Sequence, residues 1–385
     1  MKTLFPFLVR RHKTVFLILT ILIQLCLTRN IIAEKIWPKE PLRGINVKLV
    51  TWKKGNTQNP GSYISENTFK KLSTWNINHI RVTLFEDEFS EEDTRTWEKM
   101  PAVHKNELLA PYRENLEGLE HVLKLAEKYH IYVIPAAGFR RNTDILYEES
   151  GVACFQTTLV ELWKYIAKEF GTNPWLLGYD LLNEPNSKNE IQYWWNVTVP
   201  TLVREIRAID KDTYLVVQPT PWGNVEGFRK LTPIKDPKVV YSFHFYRPHN
   251  YTHQGVGVHK LTKGKFVYPG NLINFDTSPE IYWDRNQMCK EVADVLEFQE
   301  KYSVRIWCGE FSAIRWAPGA AQWIADAISV FEVYGWNWCY YSYGEWNGFN
   351  PTFAHDSKEN FNPDGGERTD RLQVLENALK LNRKY

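Results

Sequence analysis

Short apolar strands alternating with amphipathic helices predict an α/β fold, a single (β/α)8 TIM barrel with extended loops at the C-terminal face. Three observations carry this expectation. Eight such strands alternate with helical patterns, with no low-complexity linker and no sequence repeat among them. The chain has 385 residues, 43% of them hydrophobic, enough to bury one large core. An open doubly wound sheet, the competing arrangement, normally carries a Gly-rich phosphate turn after its first strand, and Gly44-Ile45-Asn46 is not one.

The first strand is Leu42–Val50, and the amphipathic stretch Glu66–Trp75 is its helix. Ile77–Leu84 and Ile131–Ala136 are the second and third strands, with the helix Asn115–Tyr129 between them. The helix Phe155–Phe170 leads to the fourth strand, Leu176–Leu182, which Pro185 stops within a few residues. Thr213–Gln218 follows the helix Val199–Asp210, and Val239–Phe245 is the sixth strand. The helix Trp283–Tyr302 precedes the seventh, Val304–Cys308, and Ala321–Val333 precedes the eighth, Trp336–Ser342. Active sites in this fold form at the C-terminal strand ends, so each polar residue ending a strand is a candidate. The loops there are long at Glu86–Leu108, Arg247–Ile281 and Gly344–Asp370, as the walls of a groove would be. The acidic runs Glu86-Asp87-Glu88 and Glu91-Glu92-Asp93 are read as a solvated loop.

Composition excludes some classes. A net charge of +2, without a basic stripe of interleaved aromatics, argues against a nucleic-acid partner. Aromatic residues reach 15%, with 16 Trp, and flat rings on an open groove suit the apolar faces of sugars. Lys2, Arg10, Arg11 and Lys13 precede the apolar stretch Val15–Leu27, the pattern of a signal peptide over residues 1–33 with cleavage after Ala33. The stretch is shorter than the ~20 residues that span a bilayer, and an uncleaved N-terminal anchor is the alternative. The chain is therefore expected to be secreted or periplasmic, with no stable membrane insertion after cleavage. Residues 34–385 are expected to form one catalytic domain, acting as a monomer.

Cys26 falls in the signal. Cys308 and Cys339 in apolar strands, and Cys154 and Cys289 in helical patterns, are read as buried free thiols. No spacing of ligand residues has the form of a metal site, so no metal and no cofactor are expected. Asn196-Val197-Thr198 and Asn250-Tyr251-Thr252 are glycosylation sequons, meaningful only in a eukaryotic secretory pathway.

Two carboxylic acids stand out. Leu182-Asn183-Glu184-Pro185-Asn186 puts Glu184 at the mouth of the fourth strand with an amide beside it, and Arg305-Ile306-Trp307-Cys308-Gly309 delivers Glu310 at the end of the seventh. Such a pair can cut a sugar bond if one acid donates a proton while the other attacks or activates water. Taken alone, Glu184 can also be a capping or salt-bridged carboxylate, and Glu310 one half of a buried ion pair with Arg81. The second reading is compatible with catalysis, because a cation beside Glu310 keeps it ionised. Negative charge on Glu310 in turn raises the Glu184 pKa.

Four motifs fall in order on these strands: Asn78-His79-Ile80-Arg81-Val82 on the second, Leu182-Asn183-Glu184-Pro185 on the fourth, His244-Phe245-Tyr246 on the sixth, and Trp307-Cys308-Gly309-Glu310-Phe311 on the seventh. In these the chain resembles glycoside hydrolase family 5, the cellulase-like retaining glycosidases, from about Leu42 to Leu381. The resemblance implies Glu184 as acid/base and Glu310 as nucleophile. It implies Asn183 as the residue bonding the sugar 2-hydroxyl, His244 as a partner near the acid/base and Tyr246 as the residue orienting Glu310. It also implies the roughly 5–5.5 Å carboxyl separation of retaining enzymes.

The chain departs from that family in two places. The end of the third strand reads Ile134-Pro135-Ala136-Ala137-Gly138-Phe139, without the usual His. At the end of the eighth, Tyr341 takes the usual place of a Trp floor, and Trp346 is positioned to serve as platform from the loop. Trp222, Phe139, Tyr246, Trp346 and Phe349 are further stacking candidates, and Thr252-His253-Gln254-Gly255 is expected to line the groove.

The expected activity is a secreted, cellulase-like endo-β-1,4-glucanase acting on oligo- or polysaccharide by double displacement. A β-mannanase or an exo-β-glucosidase of the same fold is the alternative, and a non-catalytic carbohydrate-binding barrel is the alternative of another class. A metal-dependent barrel hydrolase would need clustered His and Asp at strand ends, where only His244 qualifies.

Overall fold

The structure is a computed structural model and describes residues 34–48, 64–85, 109, 112–138, 149–186, 193–275, 278–355 and 367–383. The chain divides after Lys35, and Ile36–Tyr385 form the unit that carries the fold. The signal segment, the acidic loop, Phe139 and the side chain of Cys154 lie outside the described residues.

Eight parallel strands close into a barrel. They are β1 (Arg43–Val47), β2 (His79–Phe85), β3 (Tyr132–Gly138), β4 (Gly178–Asp180), β5 (Tyr214–Val217), β6 (Val239–Phe245), β9 (Arg305–Phe311) and β10 (Asn337–Tyr343). β1 pairs with β2 on one side and with β10 on the other, which rules out the open sheet. Each predicted strand is found within a few residues of its place.

Between β6 and β9 the long loop carries a small antiparallel ribbon, β7 (Gly270–Leu272) with β8 (Ile281–Trp283), which the sequence reading lacks. The predicted helix Trp283–Tyr302 is two: α5 (Arg285–Glu291) and α6 (Ala293–Tyr302), broken at Val292 (φ −93°, ψ 8°). Asp284 starts α5 by accepting the Gln287 N–H at 2.9 Å, so Trp283 stays in the ribbon. The other helices longer than two turns are α1 (Glu66–Thr74), α2 (Arg113–Tyr129), α3 (Glu149–Phe170), α4 (Val199–Arg207), α7 (Ala320–Val333) and α8 (Asp370–Leu379), the last unforeseen.

Strand alternation sorts the core into two. Leu215 and Val217 point outward into the large cluster shared with the helices, while Tyr214 and Val216 join Trp37, Ile134, Leu177, Val240, Trp307 and Cys339 inside the barrel. Trp37 closes the N-terminal mouth, its indole N–H on Asn337 Oδ1 (3.2 Å) and its backbone N–H on the Tyr214 hydroxyl (3.1 Å). Two residues further along the strands the interior turns polar: Asn46, Arg81, Asp180, Gln218 and Ser242 are all buried. This polar layer is the floor on which the site stands.

None of the described helices is long and apolar enough to cross a membrane. Cys308 and Cys339 are buried and free, as read, while Cys289 is free and half-buried. Of the two sequons, Asn250 is 3% exposed, whereas Asn196 is exposed in the turn Trp194–Thr198; the threonine of each, Thr252 and Thr198, is buried.

Candidate active site

Arg81 organises the floor. Its Nε donates to Asp180 Oδ2 (2.8 Å), Nη1 to Asn46 Oδ1 (3.0 Å) and to Glu310 Oε1 (2.7 Å), and Nη2 to Asn183 Oδ1 (2.7 Å). A lone buried charge would cost several kcal/mol, and two carboxylates offset it here. Burial works against the Arg81 charge, but Asp180 and then Glu310 more than overcome it, leaving the guanidinium above its ordinary pKa. Gln218 Nε2 satisfies both oxygens of Asp180 at 3.0 and 2.9 Å, and Asn46 Nδ2 donates to Gly309 O at 2.9 Å. Asp180, Gln218 and Asn46 were not singled out from sequence. The available signal was an acid in the middle of the apolar run WLLGYDLL, which must find a buried partner.

The two glutamates face each other across this floor. One oxygen of each, with a ring nitrogen of His244, lie within 4.8 Å of one another. This is the one group among the described residues with ligand atoms close enough for a metal ion. Arg81 and the Tyr246 hydroxyl (2.8 Å to Oε2) already hold both Glu310 oxygens, so a cation would have to compete with them. Among the described residues Glu184 has one side-chain hydrogen-bond partner, His244 Nδ1, 2.8 Å from Oε1. Its backbone N–H donates to Gln218 Oε1 at 3.1 Å. Glu184 (φ +47°) and Trp222 (φ +53°) both hold left-handed backbone, which costs on the order of 1–3 kcal/mol for a non-glycine residue and persists where neighbours enforce it. Trp222 N–H bonding Pro185 O at 2.9 Å is one such restraint.

The electrostatics differ between the two acids. Burial pushes Glu184 up to about 7, with Arg81 pulling weakly the other way. Burial also raises Glu310, but His244 and Arg81 oppose it. A carboxylate bonded by a guanidinium and a phenol is the better anion of the pair, so the shared proton resides on Glu184. Burial lowers His244 to about 4, so its ring is neutral near neutral pH. Tyr246 rises well above its ordinary value through burial and then Glu310, and remains a donor. Gly309 is required for this fit: a Cβ there would stand 2.7 Å from Ser242 Oγ and 3.2 Å from His244 Nε2.

A groove of about 660 Å³ covers the pair, lined by Glu184, Trp222, His244, Tyr246, Glu310, Tyr341 and Trp346 among others. Arg81 and Asn183 stand in the floor beneath them. Tyr341 bonds Glu345, a third acid near the site. Phe349 also lines the groove, but it is 4% exposed and packs edge-on against Trp346 and Tyr341, so little of its ring faces the opening. His253 lines the groove and sits edge-on to Tyr246 at 5.1 Å. Behind it His249 stacks at 4.1 Å, and Phe275 stacks on His249, a wall the sequence reading missed beyond His253. No His enters from β3.

Comparison with known proteins agrees with the barrel fold. Endoglucanase C of Acetivibrio thermocellus is 23% identical over 305 residues, covering 71% of this chain and 82% of that protein. Cellodextrinase A of Ruminococcus flavefaciens is 24% identical over 285 residues, covering 71% and 76%. Thermotoga maritima Cel5A, solved with cellobiose, superposes with a TM-score of 0.63 at 21% identity, covering 86% of this chain and 96% of that one. The family model for Cellulase (glycosyl hydrolase family 5) matches residues 41–347, and the chain belongs to that family of glycosidases.

Proposed function

We propose that the protein is a retaining endo-β-1,4-glucanase in which Glu184 is the acid/base and Glu310 the nucleophile. The observation that carries this is the pair of facing carboxylates within 4.8 Å, only one of them held as an anion by Arg81 and Tyr246. That spacing suits direct attack, since an inverting pair stands roughly 6.5–9.5 Å apart to admit a water.

In the first step a Glu310 oxygen bonds the anomeric carbon while Glu184 gives its proton to the departing glycosidic oxygen. The ester removes the charge on Glu310, so Glu184, now ionised, faces no neighbouring anion. Its pKa falls and it takes a proton from water as that water attacks the anomeric carbon and frees Glu310. Arg81 keeps Asp180 as partner throughout. Asn183, its carbonyl held by Arg81, has an amide group with no partner among the described residues, able to donate to the sugar 2-hydroxyl in a bond that strengthens as charge develops.

Relatives named as endoglucanases support β-1,4-glucan as substrate. Mannan is the second reading, because Cel5A of Thermotoga maritima was also solved with mannotriose. Export rests on the basic and apolar pattern of residues 1–33. The test is hydrolysis of cellulosic and mannan substrates with the anomer of the first product read by NMR. Retention by the parent, with Glu310→Gln binding but not cutting, supports the reading. Inversion, or no action on any β-glycan, sinks it.

A further inference from the structure

A second cavity, of about 350 Å³, lies beside the groove. Its walls come from the turn Val225–Lys230 after β5, from Asn274, Ser278, Pro279, Ile281 and Trp283 after β6, and from α5 and α6. Arg247 lines both spaces. Its guanidinium pairs with Glu226 and, at 2.7 Å, with Glu291, so the partition is one pinned side chain. The lining passes from one space to the other within two residues, from Asn224 to Glu226 and from Phe275 to Asn274.

We propose that this chamber is a distal subsite that takes a further neutral pyranose unit of the leaving glycan chain. The inference rests on Glu184 being the acid, because the acid stands on the leaving-group side of the bond it protonates. Trp222 N–H bonds Pro185 O, which ties the loop after β5 to the acid's own turn. The chamber is built on that loop and on the loop after β6, the next strand round the barrel. A chain departing on that side passes Trp222 and Phe275, which are 50% and 43% exposed, before reaching Arg247. The wall is firm there: Phe275 stacks on His249 at 5.4 Å, and Asn274 Oδ1 accepts the His249 N–H at 2.9 Å. A volume near the lower end of the roughly 300–1,000 Å³ range of ligand pockets fits a single sugar ring. Arg229 is paired with Asp294, and Arg247 with Glu226 and Glu291; counting Lys290, the lining holds three cations against three acids, so no net positive field favours an acidic sugar. Lys290 has no partner among the described residues and supplies a donor for a hydroxyl.

Reducing-end-labelled cello-oligosaccharides, tetramer to hexamer, report where each chain is cut. Ala293→Trp, at an exposed position on the chamber wall, fills the space and touches no catalytic group. It is expected to move the preferred cut one unit toward the reducing end and to lower kcat/KM on the hexamer about tenfold, with the trimer unchanged. Lys290→Ala, a milder exposed change, should shift the cut the same way to a smaller extent. Unchanged cut positions in Lys290→Ala and in folded Ala293→Trp overturn the subsite while leaving the glucanase reading intact. A parent that cuts no cello- or manno-oligomer overturns that reading first, and the subsite with it.

Discussion

Arg81 Nη1 stands 2.7 Å from Glu310 Oε1, and neither side chain is more than 8% exposed. The same guanidinium holds Asp180, so it balances two buried acids at once. Replacing Arg81 by Ala leaves both without a cation, and breaking a buried pair this way costs about 3–5 kcal/mol. The expected result is a large fall in denaturation midpoint together with loss of activity. Glu310→Gln keeps the shape and removes only the charge; it should lower turnover by about 10^4-fold or more while leaving the midpoint close to that of the parent. Equal stability loss in the two variants would show that Asp180 alone does not balance the buried Arg81 charge.

The raised Glu184 pKa has a sign that stability can report. An ordinary Glu titrates at 4.5, and this one at about 7 when folded. Between those values the folded chain holds a proton that the unfolded chain has released, so stability falls as pH climbs through the window. Glu184→Gln removes the titration. It should unfold at a higher temperature than the parent at pH 8 and show no such advantage at pH 4. The gap will be smaller than full burial implies, because the Glu184 side chain is 34% exposed. A difference that is the same at both pH values would remove the case for a protonated Glu184.

Tyr246 donates to Glu310 Oε2 at 2.8 Å, a bond made to the charged form. Deleting the hydroxyl in Tyr246→Phe weakens the anion and raises the Glu310 pKa further. The acid limb of the kcat/KM profile should move to higher pH while the basic limb, set by Glu184 near 7, stays in place. At the optimum the loss should be roughly ten- to a hundredfold, in keeping with a hydrogen bond to a charged group. An acid limb that does not move would assign it to another group.

The strand rhythm and the two acids were legible because both are local: an apolar run fixes the strand, and Pro185 or Phe311 fixes where it ends. The floor was less so. Asp180 lies in a strand of three residues, Gly178–Asp180, and only closure of the barrel brings Arg81 against it. The ribbon after β6 was missed because three-residue strands show no period of two, and α5 and α6 were merged because Val292 breaks them without Gly or Pro. Spacing does not tell how far a ring on a turn is covered, and here Phe349 lines the groove with only 4% of its surface exposed.

Trp346 itself depends on a neighbour. Its indole lies against the Gly348 backbone so closely that a Cβ there would stand 2.2 Å from Cη2 and 2.4 Å from Cζ3. Gly348 O accepts the Arg315 N–H at 2.8 Å, which fixes the backbone, so the ring must give way in Gly348→Ala. If Trp346 is a platform for sugar, the displaced ring should raise KM several-fold with a smaller change in kcat, and Trp fluorescence should report its new setting. In a Trp346→Ala background the same Gly348 change should add almost nothing, since the clash partner is gone. Additive losses in that double-mutant cycle would mean that Gly348 acts through the backbone and that Trp346 is not seated by it.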